Sequence, residues 1–172
     1  MSYYRNLVVR LAVPFIISYQ VLNEIFYNAT IYVPYFLMKL ANYQAIMIQP
    51  YLITQNNYIR FSEACAAVSA YFLLLLLVVF TKDIKIKARI KIFLIGSLII
   101  FSVNVARILL LIFILEKKGF SAFQQSHDVF WIIFGSFAVA FTWIFLTRFY
   151  KIKSVPVYSD MKYLLKQTKL FK

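Results

Sequence analysis

The sequence predicts an all-α, polytopic membrane protein, with a bundle of about four transmembrane helices and one further interfacial or re-entrant helix. Hydrophobic residues make up 63% of the 172 residues, and the mean hydropathy is +0.76. A small soluble core cannot hide so much apolar surface from water, so the lipid bilayer must cover part of it. With only three glycines, four prolines and no polar low-complexity stretch, residues 1–172 are expected to form a single integral-membrane domain.

Four apolar segments account for the predicted spans. Roughly 20 apolar residues are needed to cross a hydrocarbon core of about 30 Å. Three of the four segments meet this requirement cleanly. The fourth, which is the most N-terminal, is less apolar because it contains Arg10, Pro14 and Gln20. In chain order, the predicted spans are residues 7–27, 62–80, 92–115 and 129–147.

Residues 31–53 are the hardest segment to assign, because Pro34 and Pro50 bracket it. A helix of about 15 residues between the two prolines reaches only about 22 Å, which is short for a membrane crossing. We therefore predict an interfacial or re-entrant helix at 31–53. If the segment does cross the membrane, the N-terminus lies outside.

Basic residues between and after the spans predict the orientation. The net charge is +13, but the basic residues are not interleaved with exposed aromatics on a soluble face, so no nucleic-acid partner is expected. The loop after the second predicted span and the tail at 148–172 are both basic. By the positive-inside rule they are cytoplasmic, and the loop at 116–126 faces the outside of the cell membrane. The charged residues of the cytoplasmic loop are Lys82, Lys85, Lys87, Arg89 and Lys91, against Asp83.

Arg107 is the clearest polar residue inside a predicted span. An ionisable residue in an apolar helix costs about 2.5–3.5 kcal/mol on insertion scales, so it is expected to face the bundle interior or a wet cavity. Asn104, one turn earlier, shares its helical face. A structural interpretation competes with a functional one, because such an arginine can also pair with a lipid phosphate or cap a neighbouring helix.

Cys65 and His127 are the only cysteine and the only histidine of the chain. The single cysteine excludes an internal disulfide, and the two residues are too few for a metal centre, so neither a metal nor a cofactor is expected. Ser62 and Ser126 are candidate N-caps that would place Cys65 and His127 in the first turns of two helices. A helix N-terminus favours a thiolate over a thiol and a neutral imidazole over an imidazolium.

Cys65, Arg107 and His127 are predicted to lie at one membrane depth, near the outer face, on three different helices. A nucleophile, a base and a permanently charged donor are the groups needed for acyl transfer through a covalent thioester. Simpler interpretations exist, since a lone membrane cysteine is usually a small hydrophobe and a lone histidine is usually an interfacial polar residue. Glu63 and Asp128 are weaker supporting candidates, because acids in a first helical turn are expected from the dipole alone.

Three short blocks of the sequence resemble the signature motifs of the exosortase/archaeosortase family in order and spacing. The likeness covers roughly residues 58–150. Relatives often carry a hydroxyl residue and then glycine after the cysteine, whereas this chain has Ala66 and Ala67. The three blocks are Glu63-Ala64-Cys65-Ala66, Asn104-Val105-Ala106-Arg107-Ile108 and His127-Asp128.

This resemblance implies an integral-membrane cysteine transpeptidase, related in chemistry to thiol proteases. Its implied substrates are secreted or surface proteins that end in a sorting signal, consisting of a short motif, a transmembrane helix and a basic tail. The enzyme would cleave near the motif and pass the acyl group to an acceptor, for which a lipid is a candidate. The resemblance implies that Cys65 is the nucleophile and that Arg107 and His127 are the other two catalytic residues.

Two alternative functions compete with this one. A non-enzymatic membrane assembly factor or small transport subunit would use Asn104 and Arg107 as structural polar contacts between helices. A membrane protease would use the same thiol with water as the acceptor.

Overall fold

The computed structural model describes the backbone of residues 2–169 and the side chains of residues 3–130 and 137–167. The chain is mostly helical, as predicted, but a three-stranded antiparallel sheet makes the all-α prediction wrong. The last three residues of the predicted tail lie outside the described residues. The helices are α1 (Ser2–Ile16), α2 (Tyr19–Leu40), α3 (Val68–Phe80), α4 (Ile86–Phe149) and α5 (Tyr158–Lys169). The strands are β1 (Ala45–Ile48), β2 (Tyr51–Thr54) and β3 (Tyr58–Arg60).

The first predicted span, 7–27, is bent rather than straight. α1 and α2 meet at an angle of 52°. Ser18 begins the second helix, because its backbone is extended and its Oγ accepts a hydrogen bond from the Val21 N–H at 3.5 Å. α2 then continues through Pro34 to Leu40, so the first part of the 31–53 segment belongs to this helix.

The remainder of the 31–53 segment forms strands, so the prediction of a separate helix there is wrong. β1 and β2 are joined at the cis Gln49–Pro50 bond, and β2 turns into β3 where the Thr54 N–H donates to the Asn57 carbonyl at 2.9 Å. Pro50 therefore lies in a turn and not at a helix end. The strands are rich in isoleucine, and their inward side chains alternate with exposed ones, as expected for a half-buried sheet.

Helix α3 begins later than the predicted span 62–80. A 3-10 turn at Glu63–Ala66 comes first, and Ala67, in the left-handed conformation with φ 52° and ψ 35°, separates this turn from α3. Cys65 therefore lies in the short turn and not in the first turn of the long helix. The predicted order, with Ser62 before a helical turn and Cys65 as the third residue of that turn, is found in this 3-10 turn, whereas the prediction that the turn opens the long helix is wrong.

Helix α4 is a hairpin that closes at Gly119, where φ 80° and ψ −177° depart from helical values. We call residues 86–118 the first arm and residues 120–149 the second arm. They pack antiparallel, since a Cβ on Gly96 would lie 3.0 Å from Leu146 Cδ1, and Val103 and Phe137 line one groove between the arms. The predicted spans 92–115 and 129–147 thus lie in opposite arms. The predicted loop 116–126 is wrong, because only Gly119 interrupts the helix.

Two apolar clusters hold these elements together. The first joins α2, α3 and both arms, and Tyr71, Leu74 and Leu146 are buried in it. The second joins α2, the sheet and the first arm, and it includes Leu52 and Ile108. The sheet therefore packs across the first arm close to Gly119, and we call this region the sheet end of the molecule.

The opposite end, which we call the basic end, gathers the N-terminus, the loop between α3 and α4, and the tail. Arg10 forms an ion pair with Asp160 at 2.9 Å, and the Tyr3 hydroxyl donates to the same carboxylate at 2.8 Å. Lys82 Nζ lies 3.9 Å from the ring centroid of Tyr163. The loop and the tail, which the charge pattern assigns to the cytoplasm, therefore lie together with the N-terminal helix at one end of the molecule.

Helix length and composition identify fewer spans than the sequence predicts. Within the described part of the chain, Ile86–Phe130, which comprises the first arm and the start of the second, contains a stretch long and apolar enough to cross a membrane. The bent α1–α2 pair passes the same test when its two helices are taken together. α3 and Phe137–Phe149 are apolar but shorter. Four crossings and their orientation stay predictions.

Candidate active site

Cys65 is the centre of the candidate site, and its thiol is half-buried. Its N–H donates to the Ser62 carbonyl at 2.9 Å, which closes the 3-10 turn. Ser62 makes no side-chain cap to the backbone; its Oγ lies 3.6 Å from Cys65 Sγ instead. The expected stabilisation of a thiolate by a helix dipole does not apply, because the turn has only four residues and Ala67 separates it from α3.

Asn104 and Arg107 hold the Cys65 turn from the first arm of α4. Asn104 Nδ2 donates to the Cys65 carbonyl at 2.9 Å, and Arg107 Nη2 donates to the same oxygen at 3.4 Å. The two side chains are 5% and 8% exposed. The structure thus places three of the predicted residues together. It also accounts for the burial of a charged residue, since the guanidinium faces the bundle interior.

Arg107 keeps hydrogen-bonding capacity beyond the Cys65 carbonyl. Among the described side chains, no partner is found for its buried Nε. The buried Tyr71 hydroxyl, within electrostatic range of Arg107, also has no partner in the described part of the chain. Tyr71 is held by a parallel stack on Phe26, with ring centroids 3.7 Å apart. Tyr71 was not predicted as a site residue, although a tyrosine just before the leucine run 73–77 was a signal for it.

His127 lies in the second arm, well inside the helix. Its Nδ1 is 3.4 Å from Asp128 Oδ1, its ring stacks on Phe123 with centroids 5.9 Å apart, and its side chain is 37% exposed. The expected N-cap at Ser126 is wrong, because helical structure resumes directly after Gly119.

The register of the two arms shows where His127 lies relative to Arg107. Gly96 faces Leu146 across the arms, and Val103 shares a groove with Phe137. Arg107 is therefore level with about residue 134, and His127 lies about 10 Å further towards the closed end of the hairpin. Cys65 and Arg107 therefore lie at the same level of the first arm, and His127 lies nearer the closed end; a common depth of the three residues in the membrane stays a prediction.

The two supporting acids lie at the surface. Glu63 opens the 3-10 turn and is exposed. Asp128 is also exposed, and it accepts a hydrogen bond from Gln124 Nε2 at 3.3 Å in addition to its contact with His127. Both are close in sequence to the candidate residues, and neither is buried with them.

Glu116 fixes the sheet beside the Cys65 turn. Its carboxylate accepts hydrogen bonds from Thr54 Oγ1 and from Asn57 Nδ2, the latter at 2.9 Å. Burial raises the pKa of the Glu116 carboxyl, but the hydrogen bonds from Thr54, Asn57, Tyr43 and Asn56 outweigh it and leave the pKa below its ordinary value. Glu116 was predicted only as the start of a loop, and its contacts with the sheet were not predicted.

Comparison with known proteins identifies a family. No curated protein and no solved structure shows a significant match to the chain. The profile of the family described as transmembrane exosortase (Exosortase_EpsH) matches residues 6–147, a range that includes Cys65, Arg107 and His127. This match confirms the resemblance carried by the three sequence blocks and supports a membrane location. The chain belongs to the transmembrane exosortase family.

Proposed function

We propose that this protein is a membrane cysteine transpeptidase. It cleaves the C-terminal sorting signal of secreted or surface proteins through a thioester on Cys65 and transfers the acyl group to an acceptor, with a lipid as the candidate. The observation that carries the proposal is the pair of hydrogen bonds from Asn104 and Arg107 to the Cys65 carbonyl. These bonds fix the main chain of Cys65, the only cysteine of the chain, beside a buried guanidinium that interacts electrostatically with Cys65.

The proposed reaction has two acyl-transfer steps. Cys65 Sγ attacks the scissile carbonyl carbon, a C–S bond forms, and the C–N bond breaks. The thiol proton passes to His127 and from there to the departing amine, so that the C-terminal peptide leaves neutral. The acceptor then attacks the thioester, His127 takes the acceptor's proton, and the thiolate departs and is reprotonated.

Arg107 is proposed to stabilise negative charge in both steps. Its Nη2 is committed to the Cys65 carbonyl, whereas its Nε has no partner in the described part of the chain. A guanidinium remains protonated, so it serves as a donor and a charge rather than as a base. We assign it to the oxyanion that develops on the scissile carbonyl oxygen.

His127 is assigned the proton-transfer role on the family pattern, and geometry sets a condition on that role. A general base must come within hydrogen-bond reach of the thiol, directly or through one water, and such contacts often tighten only when substrate binds. Replacing His127 with Asn or Ala in an active preparation tests this assignment separately from that of Cys65.

Cys65→Ala is the decisive test of the proposed function. A secreted protein ending in a short motif, an apolar helix and a basic tail is co-expressed with each variant, and cleavage is followed by its change in gel mobility. We expect processing to fall by at least about a thousandfold, because the covalent step is lost. Ser62→Ala is the matched control, since it removes only the 3.6 Å contact with the sulfur, and it should keep processing within about tenfold of wild type.

Unchanged processing in the Cys65→Ala variant would contradict the proposal and favour a non-enzymatic assembly factor. Mass spectrometry of the processed C-terminus distinguishes a lipid adduct from a free carboxylate. A free carboxylate would indicate proteolysis with water as the acceptor. Labelling of Cys65 in intact cells by a membrane-impermeant thiol reagent tests the proposed outward orientation.

A further inference from the structure

Strand β3 has one edge that is not paired within the sheet. The strand order is β1-β2-β3, so β2 occupies only one side of β3. The Thr54 N–H donates to the Asn57 carbonyl and the Phe61 N–H donates to the Pro50 carbonyl, both at 2.9 Å. Bonding alternates along an antiparallel pair, so the residues at 57, 59 and 61 direct their main-chain groups towards β2. The N–H and C=O groups of the intervening Tyr58 and Arg60 point away from β2.

The surface beside this edge is open and leads to the thiol. Tyr58 is 80% exposed, and Arg60 and residues 62–64 are exposed as well. Phe61 is buried and accepts a hydrogen bond from the Tyr27 hydroxyl at 3.3 Å, which fixes the end of the strand against α2. Cys65 follows after only a few residues. An extended chain laid along β3 would therefore be guided towards the candidate nucleophile.

We propose that the open edge of β3 binds an extended segment of the substrate polypeptide by β-strand addition and presents the scissile bond to Cys65. This inference rests on the proposed function. The four groups that pair with the substrate are the N–H and C=O of Tyr58 and of Arg60, and the same groups serve a parallel or an antiparallel segment. From Arg60 to Cys65 the chain reaches at most about 17 Å, so the scissile bond lies within about five residues of the substrate residue that pairs with Arg60.

Main-chain pairing distinguishes this proposal from recognition by side chains. Arg60→Pro removes one outward N–H and places a ring on the edge, while the bonds of β3 to β2 use neighbouring residues and are kept. Arg60→Ala is the matched control, since it removes the side chain and keeps the N–H. With a synthetic sorting-signal peptide in detergent, we expect the KM of Arg60→Pro to rise about tenfold and that of Arg60→Ala to stay within about twofold of wild type.

The labelling rate of Cys65 by a small thiol reagent reports whether the Arg60→Pro variant is folded, and it should match the wild-type rate. Equal KM values for the Arg60→Pro and Arg60→Ala variants would overturn the inference. An activity that survives Cys65→Ala would instead overturn the proposed function, so the two failures are distinguishable.

A substrate-side experiment decides the matter without altering the enzyme. Peptides are N-methylated at one position at a time along the segment that precedes their transmembrane helix. Strand addition predicts that KM rises at every second position, because alternate N–H groups of the bound segment face β3. A profile without this alternation would overturn the inference, even if the Arg60→Pro variant fails to fold.

Discussion

Each half of the first arm of α4 contains one inward-facing arginine, Arg89 or Arg107, and the two differ in how many of their hydrogen-bond donors are used. Near the basic end, all three guanidinium nitrogens of Arg89 donate hydrogen bonds to main-chain carbonyl oxygens. Nη1 donates to Val78 at 2.8 Å and to Val79 at 2.6 Å. Nη2 donates to Thr81 at 2.7 Å, and Nε donates to Ile84 at 2.9 Å. These carbonyls lie at and beyond the C-terminus of α3, where the helix offers no partners.

Arg107, nearer the sheet end, also donates a hydrogen bond to a main-chain carbonyl, but not all of its donor groups are used. It makes a 3.4 Å bond to Cys65, and its Nε has no partner in the described part of the chain. Arg89 was grouped with the topology signals and Arg107 with the catalytic candidates. If Arg107 has the proposed role, the feature that distinguishes it from the half-buried Arg89 is an unused donor beside the candidate nucleophile.

Exchanging each arginine for lysine tests this comparison most strongly. Lysine keeps the charge but loses the planar fork. We expect Arg107→Lys to lower processing about 100-fold with a small change in melting temperature, because an oriented donor at the reacting centre is lost. We expect Arg89→Lys to lower stability by about 2–3 kcal/mol, because carbonyls at the end of α3 lose their partners, while activity per folded molecule is retained.

Thermal melting in detergent and processing assays on the same preparations separate the two effects. Full activity in Arg107→Lys would reduce Arg107 to an anchor between helices. If Arg89→Lys lost activity without losing stability, the division between the two halves of the arm would be wrong.

The grouping of Cys65 with Asn104 and Arg107 could be predicted because its causes are local or general. A charged residue is expensive in lipid and must turn inward, and a residue one turn earlier must share its face. His127 was predicted on the same grounds as an interfacial residue at matching depth, but the register of the two arms places it about 10 Å nearer the closed end of the hairpin. The sequence could not supply the details around the thiol, because Ala67 adopts a left-handed conformation that alanine does not favour on its own.

The sheet was missed for a different reason. Pro34 and Pro50 were both taken as helix boundaries, whereas Pro34 lies inside α2 and Pro50 lies in a turn between strands. The short apolar runs at 45–48 and 51–54 fit either a helix or a strand by periodicity alone, and their isoleucine content was the signal for strands. The sheet is held in place by tertiary contacts, because Glu116, which is distant in sequence, accepts hydrogen bonds from Thr54 and Asn57.

Gly96 in the first arm and Gly119 at the closed end of the hairpin extend the comparison. Gly119 has φ 80° and ψ −177°, and among the described residues no atom beyond its neighbours in the chain lies within 4 Å of an added Cβ, so Gly119→Ala costs stability through backbone strain, about 1–3 kcal/mol. Gly96→Ala fails by crowding, since its Cβ would lie 2.7 Å from Leu74 Cδ2 and 3.0 Å from Leu146 Cδ1. Overpacking of this kind costs about 1–3 kcal/mol.

A second substitution separates strain from crowding. Leu74→Ala in the Gly96→Ala background makes room for the new methyl group, so the double variant should be more stable than the sum of the single changes predicts. The same Leu74→Ala change should be additive with Gly119→Ala. Melting temperatures in one detergent measure both couplings, and a similar coupling in the two backgrounds would contradict the distinction.

The smallest effect concerns Glu116 and the stability of the sheet. Its pKa is lowered by hydrogen bonds, so the stability it contributes is fully present above its ordinary pKa of 4.5 and is lost as pH falls through the lower folded value. The stability that Asp160 contributes at the basic end is also lost as pH falls. Burial raises the pKa of its carboxyl, but the hydrogen bonds from Arg10 and Tyr3 outweigh burial and lower the pKa. Melting curves alone therefore cannot assign acid lability to one end.

Thiol labelling at pH 7 makes the assignment, because Cys65 packs beside the sheet, whereas Asp160 lies in α5 at the basic end. Glu116→Gln keeps the shape of the side chain and weakens the charged hydrogen bonds to Thr54 and Asn57, with a loss of about 1 kcal/mol. The sheet should then open more often, and the labelling rate of Cys65 should rise about fivefold. Asp160→Asn should leave that rate unchanged although it lowers the melting temperature. Equal labelling rates in the two variants would show that the sheet does not cover the thiol.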